Sequence, residues 1–157
     1  MENQEDKYLT FSLGDEEYGI PILKVKEIIG MMKITEVPKA PDFVKGVINL
    51  RGKIIPLMDL RLKFDMEELK YTERTCIIVI DINHKDVVRQ IAVAVDGVSE
   101  VVSIPEEAIE PPPNYDNESE DFLTGIGKVK GKVVMLLNTD KAFNFNGLVK
   151  INSLTEE

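Results

Sequence analysis

The sequence has no tryptophan, a single cysteine, a single histidine and a deficit of basic residues. Each shortage excludes something. One cysteine, Cys76, rules out an internal disulfide and fits a reducing compartment. With His84 as the lone histidine, a metal centre built on histidine and cysteine is excluded by count. No stretch approaches the roughly 20 apolar residues that span a bilayer. The opening MENQEDKY is polar and acidic, unlike a signal peptide, so a cytoplasmic protein is expected. Lysine and arginine number 19 against 28 aspartates and glutamates, a net charge of −9. That balance argues against nucleic acid, whose phosphates need a basic surface, and against adsorption to anionic lipid. Four tyrosines and six phenylalanines, with no tryptophan, are also few for stacking on bases.

Catalytic chemistry is equally scarce. His84 falls in a turn at 83–86 and reads as solvated, while Cys76 opens an apolar strand and reads as a small buried residue. A strand start and the tip of its own hairpin lie too far apart for a nucleophile–base dyad. Gly125-Ile126-Gly127-Lys128 invites a phosphate reading, but no GxxxxGK[ST] spacing is present and no long helix follows. The carboxylates lie mostly in tails, turns and loops, where charge is usually solvated. No enzyme activity, metal or cofactor is expected.

What the sequence does contain is a repeat. Residues 43–64 align without a gap on 122–143, at an offset of 79, with six of 22 positions identical. These are Phe43/Phe122, Gly46/Gly125, Gly52/Gly131, Lys53/Lys132, Leu57/Leu136 and Phe64/Phe143. A second stretch, 18–29 against 91–102, agrees at offset 73, pairing Val25 with Val98 and Glu27 with Glu100. The order is the same in both halves, so two copies of one β-rich unit fill the chain. Each copy is too small for a large core of its own, which predicts two small barrels sharing an apolar interface.

Alternation and turn residues predict a hairpin over 7–22 with its turn at 14–17, and a third strand at 25–29. Strands at 47–50 and 54–58 flank Arg51-Gly52-Lys53, with Pro56 placing the second at an edge or a bulge. Asp59 should N-cap a short helix reaching Phe64. The charged stretch 65–75 marks the junction, and strands follow at 76–82, 91–95 and 98–104. Residues 105–121, with three consecutive prolines and seven acids, form an exposed loop about six residues longer than in the first copy. Val129 and 133–137 close the second sheet, and 139–143 repeats the helical cap. The units are therefore a polar lead at 1–6, expected to be disordered, subdomains at about 7–70 and 71–145 between which strands can exchange, and a tail at 146–157. SH3-like and OB-like barrels both fit this pattern.

The block EVPKAPDFVKGVINLRGKIIPLMDLRLKF (36–64) resembles the bacterial chemotaxis coupling proteins, the CheW family, in Val44, Gly46, Val47, Asn49-Leu50-Arg51-Gly52, Ile54, Pro56 and Asp59-Leu60-Arg61. Residues 14–20, Val25 with Glu27-Ile28, Val95-Asp96-Gly97-Val98 and Leu123-Thr124-Gly125 are also typical of it, and the likeness runs from about 7 to 145. The resemblance implies a mainly β fold of two tandem, intertwined SH3-like five-stranded barrels with short helical caps and no catalytic activity. It implies a cytoplasmic adaptor, recruited to the inner face of the membrane through receptors, that bridges chemoreceptor cytoplasmic tips to the regulatory domain of the histidine kinase CheA. Carried over residue by residue, the receptor groove would involve Val25, Gly46, Asn49, Arg51 and Val101, and the kinase surface Glu27 and Ile28. A further array contact would fall at Tyr115, where phenylalanine is familiar in the family.

Bland readings stand beside these. A turn arginine such as Arg51 is ordinarily solvated, although its fork can pair with a carboxylate. Val25 and Val101 can be core residues, and Glu27 has an equivalent in Glu100, which leaves a structural role open. Other functions compatible with the sequence are a module of a larger chemotaxis protein and an unrelated peptide- or oligonucleotide-binding barrel. Without receiver or ATP-binding motifs in its 157 residues, the stand-alone adaptor is preferred.

Overall fold

A computed structural model describes residues 6–112 and 122–144. The expected disorder of the lead (apart from Asp6), Tyr115 and the tail lie outside these residues. Among the described residues the chain forms ten strands: β1 (Lys7–Leu13), β2 (Glu16–Pro21), β3 (Val25–Gly30), β4 (Val44–Leu50), β5 (Lys53–Asp59), β6 (Cys76–His84), β7 (Val87–Val95), β8 (Gly97–Ser103), β9 (Leu123–Val129) and β10 (Lys132–Leu137). Two single-turn helices follow the hairpins β4–β5 and β9–β10: α1 (Leu60–Lys63) and α2 (Thr139–Ala142). Asp59 caps α1 as expected, its Oδ1 accepting the Arg61 N–H at 3.0 Å. Asn138 caps α2 by accepting the Lys141 N–H at 3.2 Å.

The strands build two five-stranded, SH3-like barrels, ordered β3-β6-β7-β5-β4 and β8-β1-β2-β10-β9; we call them barrel 1 and barrel 2. A division at 7–70 and 71–145 follows the repeat, whereas the sheets follow an exchange of strands. Strands β3 to β7 make barrel 1 without interruption, and the chain then returns to complete the sheet begun by β1 and β2. Because equivalent strands occupy equivalent places, each barrel takes two strands from one copy and three from the other.

Burial explains the apolar runs of β6 and β7. Ile77, Val79, Ala92 and Ala94 point into barrel 1, while the alternate residues Ile78, Ile80, Ile82, Ile91, Val93 and Val95 join Leu9, Phe11, Leu13 and Ile20 of barrel 2. Both faces of these strands are buried, so the sequence is apolar without alternation. A file of rings continues the shared core, with centroid spacings of 5.9 Å for Phe11–Tyr18, 5.7 Å for Tyr18–Phe64 and 5.8 Å for Phe64–Phe122. The Lys63 ammonium sits 4.5 Å above Phe43 and 5.4 Å above Phe122, the pair matched by the repeat.

The glycines common to both copies are demanded by the fold. Gly52 (φ 87°) and Gly131 (φ 80°) are the second residues of matching hairpin turns. At Gly46 (φ 144°) a Cβ would lie 2.1 Å from the Thr35 carbonyl oxygen, because Thr35 and Val47 exchange backbone hydrogen bonds of 2.8 and 2.9 Å. At Gly125 a Cβ would meet Ile109 at 2.3 Å, beside the corresponding bridge between Glu110 and Ile126.

Three expectations are corrected. Strand β5 lies inside its sheet rather than at an edge, and the bulge alternative is met only in its partner, where the register shifts between Val44 and Gly46 of β4 beside the Pro56 pair. Pro56 is tolerated because its partner Val47 directs both backbone groups to Thr35, so no donor is needed toward β4, and pairing with β7 begins only at Leu57. Strand β9 starts at Leu123, six residues before the Val129 read from the sequence; its inward residues Gly125 and Gly127 are glycine because neighbours fill the space of their side chains, which hides the strand from propensity. Cys76 is half-buried rather than buried, its thiol donating to the Arg74 carbonyl oxygen at 3.3 Å.

Gly46→Ala should therefore break the Thr35 bridge and destabilise the fold by about 2–4 kcal/mol. Gly30→Ala, with nothing within 4 Å of the added carbon, should be nearly neutral. Chemical denaturation of both variants measures the difference, and equal midpoints would refute the steric account.

Candidate functional site

Chemistry that the fold leaves unused gathers at the open edges of the barrels, since β1, β2, β6 and β7 are committed to the shared core. In barrel 1 the edges are β3 and β4, and they are bridged by charge. Arg51 and Gly52 form a two-residue hairpin turn with φ of 53° and 87°, the type I′ geometry suited to strand twist. From this tip Arg51 reaches β3. Its Nη1 donates to Glu27 Oε1 at 3.0 Å, and its Nη2 donates to Glu27 Oε2. The two hydrogen bonds hold the Glu27 carboxyl below the usual carboxylate range and raise the Arg51 guanidinium further. Arg51 keeps 69 % of its side-chain exposure and Glu27 keeps 29 %, so the pair is at the surface. The turn arginine is thus neither solvated alone nor a free cation.

The other candidates fall around this pair or away from it. Asn49 Oδ1 accepts the Gly52 N–H at 2.8 Å, which places Asn49, Arg51 and Glu27 in one unit. Ile28 follows on β3, is 44 % exposed and pairs with Ile78 of the shared core. Exposed Ile54 stands opposite Asn49 on β5 and was not singled out from the sequence. Val25 is half-buried against the shared core. Gly46 is accounted for by the Thr35 bridge. Val101 belongs to barrel 2: it is exposed on β8 and pairs with Leu9, at the place that Ile28 holds on β3.

Barrel 2 repeats the arrangement with weaker chemistry. Lys130 Nζ meets Glu100 at 3.1 and 3.4 Å across the β8–β9 edges. One ammonium replaces a two-nitrogen fork, and exposed Val101 and Val133 stand where Ile28 and Ile54 stand in barrel 1. The shallow depressions beside the two pairs measure about 330 Å³ and 240 Å³.

A second cluster, also missed from the sequence as a site, joins the barrels. Arg61 Nε and Nη2 donate to Asp96 at 2.8 and 2.7 Å, and the Gly14 N–H of the β1–β2 turn donates to the same carboxylate at 2.7 Å. Tyr71 donates to the N-cap carboxylate of Asp59 at 2.8 Å. Burial, with this bond second, raises the Tyr71 phenol well above its ordinary value. These residues line a cleft of about 280 Å³ beneath the 65–75 junction. The signal was present in the Asp59–Arg61, Asp96-Gly97 and Gly14 motifs, but sequence alone does not connect them.

The structure is thus a pair of intertwined β-barrels with exposed ion pairs and aliphatic side chains at their edges. The CheW-like domain family matches residues 7–145, and the chain belongs to that family of chemotaxis adaptors. It is 38% identical over 151 residues to the chemotaxis protein CheW of Klebsiella aerogenes, covering 96% of this chain and 89% of that protein. The CheW of Helicobacter pylori is 37% identical over 136 residues, covering 86% and 79%. The crystal structure of a scaffolding CheW protein from Thermoanaerobacter tengcongensis matches with a TM-score of 0.80 at 36% identity, over 91% of this chain and 95% of that one.

Burial raises the Asp96 carboxyl, but hydrogen bonds from Arg61 and the Gly14 N–H outweigh it and leave a net lowering. Its contribution to stability is therefore present above the ordinary carboxylate range and lost as pH falls through the depressed value. Arg61, only 12 % exposed, should cost roughly 2 kcal/mol when replaced by alanine at neutral pH, a fall in Tm of roughly 4–8 °C. Thermal melts from pH 7 to pH 3 should show the gap between the native protein and Arg61→Ala narrowing with acid; a constant gap would remove the linkage.

Proposed function

We propose that this adaptor couples chemoreceptor cytoplasmic tips to the histidine kinase CheA and performs no catalysis itself. The carrying observation is the Glu27–Arg51 pair, an oriented but exposed donor–acceptor unit with aliphatic Ile28 and Ile54 beside it. Such a mixture of charged rim and small apolar contacts suits a protein interface. Receptor binding is assigned to Val25, Gly46, Asn49, Arg51 and Val101, with Gly46 acting through the close strand approach it permits and Asn49 through the hairpin tip that carries Arg51. Kinase contact is assigned to Glu27 and Ile28, and an array contact to Tyr115. No helix of the described residues is long and apolar enough to cross a membrane; in this reading the adaptor reaches the inner membrane face through receptors.

On a helical receptor tip, a guanidinium fork would engage a carboxylate or the carbonyls of a helix end. Arg51→Ala should weaken receptor binding on the order of tenfold and change kinase binding much less. Lys130→Ala tests the equivalent turn of barrel 2 and should have little effect. Calorimetric titration against a receptor fragment decides it: equal and negligible effects would sink the receptor assignment.

The kinase surface has its own test. Ile28→Glu places a charge where an exposed aliphatic stands at the barrel edge. Pull-down should show loss of the kinase regulatory domain with receptor binding retained. Joint loss of both, with a lowered Tm, would instead make Ile28 part of the fold.

A further inference from the structure

Among the residues grouped at the barrel 1 edge, Asn49 is turned back on its own hairpin. Its side chain is exposed, yet its Oδ1 is already engaged by the Gly52 N–H at 2.8 Å. The bond closes over Arg51, a non-glycine residue held at φ 53°, in the left-handed region that L side chains resist.

The second hairpin separates what this bond does from what the turn needs. Lys128 stands in the place of Asn49, and the turn still forms, with φ of 51° at Lys130 and 80° at Gly131. The asparagine is therefore not what creates the turn type. The difference lies downstream. Arg51 meets Glu27 through two nitrogens and two oxygens, and Lys130 meets Glu100 through one nitrogen. A planar fork must be oriented to pair in this way, whereas an ammonium has no plane to align.

We propose that Asn49 is a positioning residue: it anchors the tip of the β4–β5 hairpin so that the Arg51 fork lies in register with Glu27, and it acts on a partner through Arg51 without touching it. The partner half of this statement rests on the reading of Arg51 as a receptor contact; the positioning half does not.

The test uses the full chain and two variants, Asn49→Ala, which removes the acceptor, and Asn49→Lys, which copies the residue of the second hairpin. In the protein alone, carboxyl NMR titration of Glu27 should show its midpoint moving up toward the usual carboxylate range in both variants, because a mobile fork pairs less completely. An unmoved Glu27 midpoint in both would overturn the proposal. Calorimetry with a receptor cytoplasmic fragment then separates positioning from contact. Asn49→Ala should weaken binding about three- to tenfold in the native background and cause no further loss when added to Arg51→Ala. The same loss in both backgrounds would mean that Asn49 touches the receptor, and would overturn it. If Glu27 moves as expected while Arg51→Ala leaves receptor binding unchanged, the positioning role stands and the receptor assignment alone fails.

Discussion

The apolar contact between the barrels is the constraint on which the rest of the structure depends. Among the described residues, the apolar cluster inside barrel 2 has just three fully buried side chains, Ile104, Val134 and Leu136, with Tyr8, Val102, Ile109 and Val129 partly buried against them. At about 1.5–3 kcal/mol for each buried aliphatic side chain, three cannot offset the entropy of ordering a whole sheet. The shared cluster, with Leu9, Phe11, Ile78, Ile80, Val93 and Phe143 at its centre, makes up the difference. Strand exchange reinforces this, because neither copy can leave without tearing two strands out of the other barrel. The barrels are therefore expected to unfold together, and most of β1, β6 and β7 is occupied in the shared core, although Val87 and Val88 at the start of β7 stay exposed.

That leaves the edges β3, β4, β8 and β9, and there the two copies diverge. Their common features are steric: glycine where a bridging strand crowds in and glycine in each hairpin turn. Their differences are chemical. Asn49, Arg51 and Ile28 correspond to Lys128, Lys130 and Val101. The cap helices differ too, since Arg61 takes a carboxylate from Asp96, whereas its counterpart Asp140 accepts the Asn83 N–H at 2.8 Å and faces Lys24 at 3.8 Å. Each cap helix thus pins a neighbouring turn or strand end, with opposite charge.

This division decides how much could be read in advance. The duplication, the hairpin turns and the Asp59 cap are local or periodic, and local patterns survive in sequence. The apolar runs of β6 and β7 were legible as strands, though their burial on both faces was not, and the small size of each copy demanded a shared interface. The partners of Arg51, Arg61 and Pro56 were illegible because each depends on a residue far along the chain: Glu27, Asp96 and, through Val47, Thr35. The same holds for Gly46, whose entry among contact residues came from resemblance, while its reason is a carbonyl oxygen supplied by the segment before β4. Asn49 was expected at the site from the resemblance, but only the turn geometry shows that its oxygen is spent within the hairpin.

The surface pair itself is poorly explained as a stabilising device. Exposed ion pairs contribute little to folding, and the barrel 2 version shows that the turn tolerates a single, looser contact. An oriented fork at that place has another physical consequence. Because Glu27 already holds Arg51 in one geometry, a partner that engaged the guanidinium would find part of its side-chain entropy spent before binding, which lowers the cost. A partner carboxylate must nevertheless compete with Glu27 for the same donors, so binding to Arg51 and exposure of Glu27 are linked. A ligand that loosened the pair by engaging one residue would alter the charge presented by the other, an effect smaller than the loss of its own contact because exposed pairs are weakly coupled.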